Sequence, residues 1–140
     1  MSDISRAEII EKLNNDVPYI KHLGLIFDLD GTEFTAHMPF KPELIGNPLI
    51  PAIHGGVIAA MMELTALSQL VLVGGYKKVP KTIDIGVDYL RSGRPETIYA
   101  KAEINRIGRN ISNIEVRAWQ SNAQEIIAKL HGHFLLVDEN

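Results

Sequence analysis

The run from Ile53 to Val73 constrains this chain more than any other feature, because it is nearly all apolar. Its length is close to the ~20 residues that a membrane-spanning helix requires. Glu63, Thr65, Ser68 and Gln69 interrupt it, however, and no aromatic or basic anchors flank its N-terminal side. A carboxylate without a partner is costly at mid-membrane. The run therefore reads as a helix buried in protein, opening near His54 and stopping at Gly74-Gly75, a suitable pair for a C-terminal cap. None of its sides is polar enough to be solvated, so other elements are expected to enclose it.

The flanking sequence supplies those elements. Ser5-Arg6-Ala7-Glu8 fits a capping box, with Ile4 and Ile9 placed for a hydrophobic staple, and predicts a short helix that fades near Asn14-Asn15, before Pro18. Leu25, Phe27 and Leu29 alternate with Ile26, Asp28 and Asp30; a Gly31-Thr32 turn and a strand from Glu33 to Met38 complete a hairpin. Pro39, Pro42, Gly46, Pro48 and Pro51 mark a structured loop before the apolar helix. Beyond it, Ile83, Ile85, Val87 and Tyr89 keep a two-residue period, as do Ile98, Ala100, Ala102 and Ile104, and then Ile114, Val116 and Ala118. Turns fall at Ser92-Gly93-Arg94-Pro95, Gly108-Arg109-Asn110 and Ser121-Asn122-Ala123, and a last strand is predicted from about Glu125 to Val137. Helix, two strands, long helix and four strands describe an α+β domain spanning residues 1–140, in which an antiparallel sheet wraps around one central helix.

Composition narrows the function classes. The 140 residues are 46% hydrophobic and 22% charged, an ordinary globular balance. A net charge of −3 argues against nucleic acid as a partner. The absence of cysteine removes disulfides, thiolate nucleophiles and Cys-ligated zinc. His131 and His133 share a strand face, but no acidic residue lies nearby in sequence, so no metal or other cofactor is expected. His37 reads as structural, and Trp119 and Tyr99 as sheet packing. Met1 to Arg6 lacks the apolar core of a secretory signal, and a cytoplasmic protein that does not enter the membrane is the expectation.

Glu63 is the one side chain in the long helix that can carry chemistry as a charged group, since His54 stands at its start. Unpaired burial of a carboxylate is expensive. Charge pattern alone leaves two readings open, a reactive acid or an edge residue that is exposed or paired with an arginine. His54-Gly55-Gly56 opens the same helix; free backbone N–H groups there suit developing negative charge, and glycine permits close approach of a ligand. The same glycines would also serve a tight entry into the helix. Gly55 and Glu63 are eight residues apart, roughly 12 Å along the axis. One reacting group could hardly touch both on one helix, whereas two antiparallel helices in a symmetric dimer would bring Gly55 of one chain to Glu63 of the other.

The segment Asn47-Pro48-Leu49-Ile50-Pro51-Ala52-Ile53-His54-Gly55-Gly56, continuing through Val57-Ile58-Ala59-Ala60-Met61-Met62-Glu63, resembles the hotdog-fold thioesterases, in particular the phenylacetyl-CoA thioesterase-like (PaaI-like) branch. Members of that branch carry an Asn before a His-Gly-Gly opening and an Asp or Glu nine positions after the His, the spacing of His54 and Glu63. Thr82-Ile83-Asp84 through Tyr89-Leu90-Arg91, and Gly108-Arg109, are similar to further family segments. The resemblance implies a hotdog fold and hydrolysis of the thioester of a small aromatic or medium-chain acyl-CoA. It gives the Gly55 N–H an oxyanion role and makes Glu63 a nucleophile or general base. It also implies that Thr82 helps to place a water, and that Asn47 and His54 orient the loop, the water or the thioester. A homodimer with each site shared between subunits, further paired into a tetramer, is implied as well. The acid is Glu where many members of the branch have Asp, though other hotdog thioesterases use Glu. Gly56 and Tyr89 are candidate substrate contacts, and Arg91, Arg94, Arg106 and Arg109, near strand ends, are candidates for the CoA phosphates. The competing expectations are a non-catalytic acyl-CoA-binding or regulatory module of the same fold, a hotdog dehydratase whose motif spacing is different, and a structural interaction protein.

Overall fold

In the computed structural model, which describes residues 5–30, 33–74 and 79–136, Ser5 starts the first helix as read from sequence. Its side chain accepts the Glu8 N–H at 3.2 Å. This helix, α1 (Arg6–Asp16), is followed at once by α2 (Pro18–Leu23). The sequence reading stopped at Pro18; the structure uses that proline as the first helical residue of α2, where its missing N–H costs nothing. Strands β1 (Ile26–Asp30) and β2 (Glu33–Met38) form the expected antiparallel hairpin. A short 3-10 turn over Pro42–Leu44 and a small ribbon, β3 (Ile45–Asn47) with β4 (Ala52–Ile53), give the proline-rich loop its structure. Then come α3 (Gly55–Gly74), β5 (Lys81–Tyr89), β6 (Ile98–Ile107), β7 (Ile111–Trp119) and β8 (Ala128–Leu135). The Ile4 staple, the Gly31-Thr32 turn, Gly75 in the cap and Val137 lie outside the described residues.

The six long strands make one antiparallel sheet in the order β1-β2-β6-β7-β8-β5, and α3 packs against β2, β5, β6, β7 and β8. This is the hotdog arrangement. The two-residue period turns Ile98, Ala100 and Ala102 of β6, Ile114, Val116 and Ala118 of β7, and Ala128, Leu130 and Phe134 of β8 toward the helix, where all are buried. Ala36, Ala100, Ala118 and Ala128 stand opposite one another across four neighbouring strands, and Tyr89 of β5 closes the row. From α3 come Ile58, Met61, Met62, Leu64, Ala66, Leu70 and Val71. The buried Thr65 hydroxyl donates to the Met61 carbonyl at 2.8 Å, so this polar interruption of the apolar run is satisfied within the helix.

Two expectations are corrected. The last strand begins at Ala128 instead of Glu125, because Asn122 folds the preceding segment into a turn. Its side chain accepts the Gln124 N–H at 2.9 Å and its carbonyl the Glu125 N–H at 3.0 Å. The long helix is also not enclosed on every side. A stripe at helical spacing, Gly56, Ala60, Glu63 and Leu67, stays partly or fully accessible, because a single sheet covers one side and α1 and α2 cover only part of the rest.

The outer face of the sheet is polar. His133 pairs with Asp84 at 2.8 Å and His131 with Asp88 at 3.8 Å, so the acidic partners that sequence proximity did not offer come from β5 through register. His37 is paired with Asp28, and Tyr99 stacks on Trp119. The Lys129 ammonium, 2.8 Å from Glu115, and then the Asn105 amide hold the Glu115 carboxyl below the usual glutamate range.

Phe134 is fully buried. Phe134→Ala is expected to cost about 3–5 kcal/mol of stability, against about 1 kcal/mol for Ser5→Ala at the exposed cap. Urea unfolding of the two variants checks the ranking.

Candidate active site

The N-terminus of α3 is built by its own first residues. The His54 N–H donates to the Leu44 carbonyl at 2.8 Å, which ties the helix start to the loop. A Cβ on Gly46 would fall 2.8 Å from the His54 Cα, so glycine is what lets the two backbones meet. The His54 ring then acts as the cap, Nδ1 accepting the Gly56 N–H at 2.9 Å, while the His54 carbonyl accepts from Val57 and Ile58. The Gly55 N–H is left with no acceptor among the described residues. Tyr89 fixes the same residue from the sheet. Its hydroxyl donates to the Gly55 carbonyl at 2.7 Å, and its ring lies 3.3 Å from where a Gly55 Cβ would sit. Asn47 acts locally, its side-chain oxygen accepting the Leu49 N–H at 3.0 Å in a turn that projects Leu49 into solvent.

Glu63 lies two turns further along α3, half-buried between the buried Met62 and Leu64. Among the described residues no cation pairs with it. Its partner is the Thr82 hydroxyl, which donates to Oε2 at 2.7 Å, and Oε1 meets no donor among the described residues. A register shift between Thr82 and Asp84 explains the contact. Thr82 pairs with the buried Phe134, yet Asp84 already pairs with the outward His133, so one extra residue in β5 sets Thr82 toward the helix and Asp84 away from it. α3 is thus tied to β5 at two points, Gly55 to Tyr89 and Glu63 to Thr82.

An amide without an acceptor at a helix N-terminus can stabilise an oxyanion, and a carboxylate with one unoccupied oxygen can accept a proton or attack a carbonyl. Both groups belong to the accessible side of α3. Within one chain they remain about 12 Å apart along the axis. The arginines separate into two groups. Arg91 and Arg94 line one depression with Ile50, Pro51 and Glu96, whereas Arg106 and Arg109 line another at the β6–β7 turn. The link from Tyr89 to Gly55 and the two hydrogen bonds by which Gln120 holds the Arg94 backbone carried no sequence signal, since each joins residues more than twenty-five positions apart. No cluster of three or more His, Cys, Asp or Glu placed to hold a metal occurs among the described residues.

The chain's relatives carry the same name as the resemblance. The model of the thioesterase superfamily matches residues 51–127, which include the α3 N-terminus, Glu63 and Thr82. The medium/long-chain acyl-CoA thioesterase YigI of Escherichia coli (strain K12) is 31% identical, over 80% of this chain and 84% of its own length. The 1,4-dihydroxy-2-naphthoyl-CoA thioesterase 2 of Arabidopsis thaliana is also 31% identical, over 76% of this chain and 67% of its own. A solved structure from Shewanella oneidensis, described as related to the thioesterase superfamily, superposes with a TM-score of 0.77 at 28% identity, covering 97% of this chain and all of that one. With a six-stranded sheet wrapped on a single helix and a family match over more than half its length, this chain belongs to the thioesterase superfamily and is a thioester hydrolase.

Proposed function

We propose that this protein is a cytoplasmic homodimeric thioesterase hydrolysing small aromatic or medium-chain acyl-CoAs, each site combining Gly55 of one subunit with Glu63 of the other. The observation that carries the reading is the placement of the acceptor-free Gly55 N–H and the Glu63 carboxylate on the accessible side of one helix, too far apart for a single thioester. Two α3 helices packed antiparallel through that side would bring each amide to the other chain's acid, twice, about a two-fold axis. β5 supports the same assembly. It is a nine-residue edge strand whose Ile83, Ile85 and Tyr89 are 50%, 37% and 52% exposed, with Leu90 at 56% beyond it. An edge that long and apolar invites pairing, and a second copy would satisfy it. The acyl-CoA substrate class is supported by the names of the two thioesterases above, one of fatty and one of aromatic acyl groups.

In this reading Glu63 is the general base. Oε1 takes a proton from water as the water oxygen bonds to the thioester carbon, and the resulting oxyanion is held by the Gly55 N–H of the other chain. Collapse breaks the carbon–sulfur bond, the proton passes to the departing thiolate, and a carboxylic acid and coenzyme A are released. Thr82 holds the carboxylate in one orientation, leaving Oε1 for the water. His54, by occupying the Gly56 N–H, leaves the Gly55 N–H as the donor. Tyr89 fixes the peptide that presents it, and Asn47 shapes the loop over the mouth.

Subunit mixing tests the shared site. Glu63→Gln is expected to lower kcat about 10²–10⁴-fold. Gly55→Pro removes the N–H at the first helical residue, with its Cβ pressing on the Tyr89 ring at 3.3 Å, and should lower kcat at least about 10²–10³-fold. Random reassortment of the two variants should restore about a quarter of the wild-type sites, because half of the dimers are mixed and each has one intact site. Sedimentation should show an even-numbered assembly of the 15.5 kDa chain. No recovery on mixing, or full activity in a monomer, rules out the shared site.

Tyr89→Phe and Thr82→Val each remove one hydrogen bond and should lower kcat about 2–10-fold with little change in KM. Steady-state kinetics on one acyl-CoA checks the split. Single-turnover hydrolysis in ¹⁸O-water should leave Glu63 unlabelled on mass spectrometry; label in its carboxylate would establish nucleophilic attack instead.

A further inference from the structure

We infer that Gln120 is a positioning residue for hydrolysis, fixing the β5–β6 connection as a brace on the turn that presents the Gly55 N–H. This rests on the acyl-CoA hydrolase reading, in which that N–H holds the oxyanion. Gln120 follows the last residue of β7 and continues its inward series of Ser112, Ile114, Val116 and Ala118, all buried. Trp119, between Ala118 and Gln120, faces the other way and stacks on Tyr99. Gln120 is itself only 8% exposed. An amide side chain at such a position costs stability unless its polar atoms are matched.

One stretch of backbone matches them all. Gln120 Oε1 accepts the Arg94 N–H at 3.1 Å, and Nε2 donates to the Arg94 carbonyl at 2.8 Å and the Glu96 carbonyl at 3.4 Å. That stretch, residues 90–97, is neither helix nor strand. Its own bonding is slight: among the described residues, one hydrogen bond joins two of its members, from the Glu96 N–H to the Arg94 carbonyl at 2.7 Å. It therefore depends on anchors outside itself. At its start the Leu90 and Arg91 N–H groups donate to the Ile127 carbonyl at 2.8 and 3.1 Å, and the Ile127 N–H donates to the Ala118 carbonyl at 2.8 Å. Toward its end Gln120 is the anchor.

Between the two anchors lies Gly93, buried although its neighbours Ser92 and Arg94 are exposed. Its carbonyl accepts the Ile53 N–H at 2.8 Å. A Cβ on Gly93 would fall 3.1 Å from the Ile58 Cδ1 and 3.4 Å from the Ile53 Cβ, so this backbone lies directly on both side chains. Ile53 precedes His54, and Ile58 belongs to the first turn of α3. Tyr89, directly before the stretch, holds the Gly55 carbonyl at 2.7 Å. The β5–β6 connection thus grips the start of α3 on both sides of His54, at Ile53 through Gly93 and at Gly55 through Tyr89. Loss of the Gln120 anchor would loosen the first grip, and with it the direction of the Gly55 N–H. A misplacement of about 1 Å far from the reacting atoms can cost ~10²-fold in rate.

The test measures kcat and KM on one acyl-CoA, with the folding of each variant checked by circular dichroism. Gln120→Met keeps the length of the side chain, removes all three hydrogen bonds and is expected to lower kcat about 10-fold with little change in KM. Gln120 and Tyr89 act on the same turn, so Gln120→Met/Tyr89→Phe should lose less than the product of the single losses, whereas Gln120→Met/Thr82→Val should lose that product. Gln120→Glu, a second variant should the first not fold, leaves the Arg94 N–H an acceptor but turns an ionised oxygen toward the two carbonyls. Its kcat relative to wild type should rise as the pH falls and the introduced carboxyl gains a proton to donate. Amide hydrogen exchange at Ile53 should quicken in both variants at neutral pH, while exchange in β6 and β7 stays as in wild type. Unchanged kcat in a folded variant, coupling to Thr82→Val in place of Tyr89→Phe, or unaltered exchange at Ile53 would each overturn the assignment. A loss confined to KM would overturn it too, since Gln120 would then set the Arg94 side chain for the substrate instead. Wild-type protein inert toward every acyl-CoA would overturn the hydrolase reading, and exchange at Ile53 would still judge the brace.

Discussion

The apolar surface of α3 governs this fold, because a single six-stranded sheet can cover one side of a helix and no more. Burial of that surface is the largest favourable contribution available to a chain of this size. The alanines opposite one another on β2, β6, β7 and β8 leave room for the helix, and the larger Leu130, Ile114 and Phe134 fill the space beyond the row. What the sheet leaves open is the stripe of Gly56, Ala60, Glu63 and Leu67. The same constraint that makes the core therefore also places a carboxylate where it remains accessible.

The first residue of α3 and its one acid are fixed by two hydrogen bonds to one strand, and this gives β5 a particular importance. Tyr89 holds the peptide of Gly55, and Thr82 holds the carboxylate of Glu63. Neither bond involves a charged pair, so the acid is oriented without being neutralised. β5 is at the same time the edge of the sheet, with its far side unpaired among the described residues. In the proposed dimer, a strand that both carries the positioning groups and offers the edge for another copy would couple assembly to the geometry of the site.

Much of the fold was legible in the residues themselves. The period of two in Ile98 to Ile104 and Ile114 to Ala118, the Ser5 cap and the isolation of Glu63 all report local rules that hold whatever surrounds them. The second helix escaped because Pro18 ends one helix and opens another, and a proline signal does not distinguish the two. The delayed start of β8 had the same kind of origin, since the Asn122 turn closes through hydrogen bonds that extend past the three residues that mark it.

The sequence by itself determined that a long apolar helix must be wrapped by strands, that its first turn is opened by His54, Gly55 and Gly56, and that it carries one acid. Those are properties of contiguous residues, set by helical spacing and by the cost of burying charge. Only the tertiary structure decided that Glu63 meets Thr82 instead of an arginine, that His131 and His133 find Asp88 and Asp84, and that Arg106 and Arg109 stand apart from Arg91 and Arg94. The physical reason is register. One extra residue in β5 and one in β6 reverse which face each side chain takes, and a shift of that kind leaves no mark in the pattern of hydrophobic residues.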